Sequence, residues 1–108
     1  MDKPCVFCKI VDGEVPSTRF RETEDVLVFL DIHPKADNHL IIIPKKHIDA
    51  FHSINDFKIW EKIGKVVKEI IDKEKPDSYR LLLNGKGAAL IQQLHLHLLW
   101  PVEHTREI

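Results

Sequence analysis

The apolar positions of this chain fall into short blocks with two different periods, and together they predict a small sheet with two helices. Residues 5–11 are apolar enough for a short helix, stopped by Asp12-Gly13 and then Pro16. Residues 18–21 and 26–30 read as a hairpin around the polar turn Glu22-Thr23-Glu24-Asp25. Residues 32–38 have the composition of a loop. The following run, His39-Leu40-Ile41-Ile42-Ile43-Pro44, is β-branched, ends at a proline and reads as a central strand. A long helix is expected between Asn55 or Asp56, both good N-caps, and Lys75, which precedes Pro76. Trp60, Ile63, Val67, Ile70 and Ile71 then share one face, while Glu61, Lys62, Lys65, Lys68 and Glu69 mostly face water. Residues 79–83 form a further strand, Asn84-Gly85-Lys86-Gly87 a turn, and residues 94–100 a last strand closed by Pro101. Five strands and one long helix without βαβ alternation predict an α+β fold with a mostly antiparallel sheet.

Length and charge narrow the picture. The 108 residues are those of a single domain, 44% hydrophobic and 31% charged, with neither repeats nor a linker. Sixteen basic residues against 17 acidic ones give a net charge of -1, which argues against a broad basic face for nucleic acid. No apolar run approaches the ~20 residues of a membrane span, and the N-terminus lacks a signal-peptide core. A soluble cytoplasmic protein is expected. Seven histidines stand out, as do two cysteines spaced Cys5-Val6-Phe7-Cys8.

The histidines matter by position. In Gln93-Leu94-His95-Leu96-His97-Leu98-Leu99, strand alternation puts Gln93, His95 and His97 on one face and the leucines 94, 96 and 98 in the core. Two imidazoles on one face suit a single reacting centre. One ring attacks it, and its neighbour donates a hydrogen bond to the developing charge. A polar strand face or a metal-chelating pair fits the same pattern. The Gly-x-Gly turn just upstream can bring backbone N–H groups to a phosphate, although most such sequences are only turns.

Taken in order, these segments resemble the histidine triad (HIT) nucleotide-binding superfamily, whose motif is His-φ-His-φ-His-φ-φ with φ apolar. The stretches that carry the resemblance begin with Cys5-Val-Phe-Cys8-Lys-Ile, Gly13-Glu-Val-Pro-Ser and Val28-Phe-Leu-Asp31-Ile32. They continue with His39-Leu-Ile-Ile-Ile-Pro44-Lys-Lys-His47, Tyr79-Arg-Leu-Leu-Leu-Asn84 and the 93–99 strand, and are most similar to the small Hint-type branch. The resemblance implies that His95 attacks the α-phosphorus of a purine nucleotide to form a nucleotidyl-histidine. It implies that His97 bonds phosphate oxygens and assists the leaving group, that Asn84 contacts the phosphate or leaving group, and that His39 orients the nucleophile. Asp31 would bind the ribose hydroxyls, with Ile10, Phe29 and Ile32 walling the base. Plain core packing fits Phe29 and Ile32 equally well. A homodimer with one continuous sheet is also implied.

The departure is Gln93, which stands where the family has its first histidine, beside the nucleotide-binding group. Its backbone can still hold the nucleophile's ring, and its amide can donate or accept. Cys5-x-x-Cys8 in a cytosolic chain reads as a metal corner or a redox pair more than a structural disulfide. The resemblance implies a structural zinc on Cys5, Cys8 and His47, completed by a histidine of the triad region. If that histidine is the one replaced by Gln93, the site is weakened, completed by water or absent, and two reduced thiols are the alternative. No cofactor is expected to be required for catalysis. Three activities follow as expectations: a nucleotide phosphoramidase, a diadenosine polyphosphate hydrolase, and a nucleotide-binding protein with little turnover. A zinc-dependent interaction module built on the cysteines is a further alternative.

Overall fold

The computed structural model describes residues 5–103. Helix α1 (Val6–Val11) opens on Cys5, whose Sγ accepts the Cys8 N–H at 3.4 Å. It stops where the sequence predicts. Asp12 caps it, and Gly13 follows at φ +82°, a left-handed turn that a side chain would strain. Strands β1 (Arg19–Glu22), β2 (Val26–Leu30) and β3 (Asn38–Pro44) come next, then helix α2 (Lys58–Glu74) and strands β4 (Arg80–Leu83) and β5 (Leu96–Trp100). Short 3₁₀ turns occupy Phe51–Ser53 and Lys86–Ala88. The sheet order is β1-β2-β3-β5-β4, and all four pairings are antiparallel. The α+β class is therefore as expected, with no parallel pair among the described residues.

Most predicted boundaries hold to within one residue, and two move further. The long helix begins at Lys58 rather than at Asn55 or Asp56, and Phe57 occupies the cap position. Asp56 still serves the helix end, its Oδ1 accepting the Lys58 N–H at 3.0 Å. At the other end Lys75 turns left-handed, φ 48°, and donates its N–H to the Ile71 carbonyl before Pro76 ends the run. The last strand begins at Leu96 rather than Leu94, because Leu94 gives its N–H to the Ile48 carbonyl, outside the ladder.

The sheet divides the core in two. On one face Val26, Val28, Leu40, Ile42, Leu96 and Leu98 pack against Ile63, Val66, Val67 and Ile70 of α2. Trp60 and Ile71, at the edges of the predicted stripe, are only partly buried, and Val66 takes a central place. On the opposite face Leu27, Phe29, Ile41 and Ile43 meet Cys5, Phe7 and Ile10 of the α1 region. His39, His95 and His97 lie on this second face. No helix among the described residues is long and apolar enough to cross a membrane.

Candidate active site

The site is built where the neighbouring interior strands β3 and β5 bring His39 and His97 together across the ladder. His97 pairs with Ile41, two residues from His39 on the same face. Leu94, Leu96 and Leu98 are buried on the α2 side, which leaves Gln93, His95 and His97 to the other, as alternation requires. The His95 and His97 rings stand 5.0 Å apart, edge to face. His95 is buried, and Phe7 packs edge-on against it at 5.0 Å.

Hydrogen bonding assigns a tautomer to each ring. The Nδ1 of His95 lies 2.6 Å from the Gln93 carbonyl oxygen, which can only accept. Nδ1 therefore carries the proton, and the lone pair sits on Nε2. The backbone N–H of Lys35 donates to Nδ1 of His39 at 3.1 Å, so His39 carries its proton on Nε2. That proton faces Nδ1 of His97 at 2.9 Å, with the Asp31 Oδ2 at 3.4 Å. His97 then accepts at Nδ1 and presents an N–H at Nε2. The outcome is one ring with a bare nitrogen beside another with a donor.

Burial favours the neutral form of His97 and of His39. Removal from water pushes His97 down to about 4, with the neighbouring His95 and His39 acting in the same direction. Burial also lowers His39 below its ordinary value, against the pull of the Asp31 carboxylate, and Lys35 adds to the lowering. Asp31 is itself fixed, its Oδ1 accepting the His33 N–H at 2.8 Å.

The expected site residues separate into those the fold assembles and those it does not. His39 bonds His97 rather than the expected nucleophile His95, because the strand register brings it to the third motif position. Asn84 follows β4, whose last pair is Leu83 with Leu96; one more step of that register would set it opposite His95. Ile10 and Phe29 are core residues at 7% and 3% exposure, whereas Ile32 is 82% exposed. His33 and His52 are exposed, and His104 lies outside the described residues. Phe7 and the Lys35 backbone were not anticipated. One hides between two cysteines, and the other acts through an amide that any residue would supply.

The cysteines and His47 also meet. Sγ of Cys8 is 3.1 Å from Nδ1 of His47, and the ligand atoms of Cys5, Cys8 and His47 all lie within 4.8 Å of one another. The Nε2 of His47 donates to Asp49 at 2.7 Å, an arrangement that leaves Nδ1 available to a metal. Bonds of ~2.0–2.3 Å to one zinc ion would need only small side-chain movements. Three corners fit. Gln93 does not provide the fourth, since its Oε1 accepts the Ile48 N–H at 3.3 Å.

Comparison with known proteins agrees with this geometry. The model of the family "Scavenger mRNA decapping enzyme C-term binding" matches residues 4–106. An uncharacterized HIT-like protein of Methanocaldococcus jannaschii is 34% identical over 108 residues, covering 96% of this chain and 84% of its own. The adenosine 5'-monophosphoramidase HNT1 of Saccharomyces cerevisiae is 34% identical over 119 residues, covering 97% of this chain and 75% of its own. Among solved structures, a HIT family hydrolase from Clostridium thermocellum superposes with a TM-score of 0.90 at 36% identity, covering 100% of this chain and 99% of that one. The chain belongs to the histidine triad superfamily.

Proposed function

We propose that this protein is a purine nucleotide phosphoramidase that works through a nucleotidyl-histidine intermediate. The observation that carries the reading is the pair of tautomers, a bare Nε2 on His95 beside an N–H on His97, fixed by the Gln93 carbonyl and by His39. In the first step the His95 Nε2 lone pair forms a bond to the α-phosphorus, and the bond from phosphorus to the leaving amine breaks. The His97 Nε2–H bonds the departing nitrogen, where charge builds, and gives it the proton with which it leaves as the free amine. In the second step His97 takes a proton back from a water that attacks the same phosphorus, the bond from phosphorus to His95 Nε2 breaks, and the nucleoside monophosphate departs. Asp31, held beside His39, offers its remaining lone pairs to a ribose diol. Exposed Asn84 reaches the leaving-group side.

The relatives named as adenosine 5'-monophosphoramidases support a phosphoramidate over a dinucleoside polyphosphate. In the test, a labelled adenosine phosphoramidate is mixed with wild type and with His95→Ala, and the protein, denatured in alkali where a phosphorus–imidazole bond survives, is assayed for bound nucleotide. Wild type should turn over and carry label, and His95→Ala should do neither. Equal turnover by the two proteins rejects the mechanism, and calorimetric binding of a purine monophosphate without turnover by wild type selects a binding protein instead.

Two accessory features belong to the same reading. Cys5, Cys8 and His47 would hold a structural zinc. Such an ion would tie α1 to the segment after β3 and would supply no step of the reaction. A second copy of the chain covers the exposed apolar residues Tyr79, Leu81 and Leu83 of the edge strand region, beside Trp60, Gly64 and Ile71 of α2.

A further inference from the structure

Gln93 is 2% exposed, so its amide must find partners inside the protein. It finds two, both on the backbone at and beyond the end of β3. The Ile48 N–H donates to Oε1 at 3.3 Å, and Nε2 donates to the Pro44 carbonyl at 3.4 Å. Ile48 is tied a second time, because its carbonyl accepts the Leu94 N–H at 2.6 Å. That N–H belongs to the same peptide unit as the Gln93 carbonyl. In a trans peptide the two groups point in opposite directions, so a bond that fixes one aims the other. The aimed carbonyl accepts the Nδ1 proton of His95 at 2.6 Å. The result is a closed circuit: the Gln93 amide holds Ile48, Ile48 holds the peptide after Gln93, and that peptide holds the nucleophile's ring.

We propose that Gln93 is a positioning residue whose side-chain amide locks residues 44–48 and, through them, the carbonyl that sets the tautomer and angle of His95. The proposal rests on the reading of His95 as nucleophile, but the circuit itself is a property of the resting protein. It also accounts for the residue type. The two backbone partners are one donor and one acceptor, and an amide answers both at any physiological pH. Methionine has nearly the same shape and answers neither.

The test uses Gln93→Met in the full chain, with two readouts. One is the nitrogen-bound Nδ1 proton of His95 by NMR in the absence of nucleotide; the other is the single-turnover rate of nucleotidyl transfer from an adenosine phosphoramidate. In wild type the imidazole proton should be resolved and slow to exchange. In Gln93→Met it should shift or broaden, and transfer should slow by roughly tenfold to a hundredfold, with affinity for adenosine monophosphate kept within about twofold. An unchanged His95 proton overturns the proposal, whatever happens to the rate, and so does an unchanged rate. If wild type shows no turnover at all, the phosphoramidase reading fails, while the proton signal still decides the positioning role. Should Gln93→Met not fold, exchange in wild type decides the matter. Protected Gln93 amide and Ile48 N–H protons uphold the circuit, and exchange at solvent rates removes it.

Discussion

At the scale of single residues, the site works by keeping imidazoles neutral and by dictating where each proton sits. His97 shows the cost of that arrangement. In an unfolded chain it takes up a proton near 6.5, whereas the folded ring resists until about 4. Between those values the unfolded state binds more protons, so this contribution to stability is complete above 6.5 and is lost as pH falls toward 4. His39, lowered by its own burial, acts in the same direction. Thermal melts from about pH 7 to about pH 4 should therefore show a falling Tm, with a shallower slope in His97→Asn. Identical slopes would mean that the protons enter elsewhere. The residues involved were largely legible beforehand. Alternation alone put His95 and His97 on one face, and resemblance added His39 and Asp31. Which ring bonds which was not legible, since that depends on a register between strands 58 residues apart in sequence. The residues expected to wall the base are the hardest to read from sequence. An apolar residue in a strand looks the same whether it lines a pocket or fills a core, as Phe29 does.

At the scale of elements, periodicity located every strand and both helices, and its errors lie at ends where local bonds leave the ladder. Leu94 shows why. Its leucine pattern continues the strand, yet its N–H serves the Ile48 carbonyl instead of a sheet partner. Helix α1 has six residues, too few to be stable in isolation, so its place depends on what anchors it. Phe7 and Ile10 provide apolar anchorage, and a metal ion on Cys5, Cys8 and His47 would provide a second kind. Protein purified without chelators should contain about one zinc per chain, and a strong chelator should lower its Tm, because a ligand bound only to the folded state stabilises it. Cys8→Ser should melt lower than wild type and be indifferent to the chelator. Absence of metal from the wild-type protein, measured by elemental analysis, would leave α1 held by packing alone.

At the scale of the whole molecule, the sheet has an edge that asks for cover. Tyr79, Leu81 and Leu83 are 50%, 43% and 37% exposed on or beside β4, the last strand in the order. An uncovered apolar edge is an association hazard that proteins seldom leave open. Sedimentation should find two chains per particle for wild type and one for Leu81→Glu, whereas a monomeric wild type would return this face to solvent. The same strand order also governs how the protein is made. β5 is the last strand in sequence, yet it lies inside the sheet between β3 and β4. A nascent chain still attached to the ribosome at about residue 90 would have three adjacent strands and a stranded β4, with neither His95 nor His97 yet translated. Completion of the sheet and arrival of His95 and His97 are thus a single late event, and a product that stops short of β5 lacks both an interior strand and the paired imidazoles.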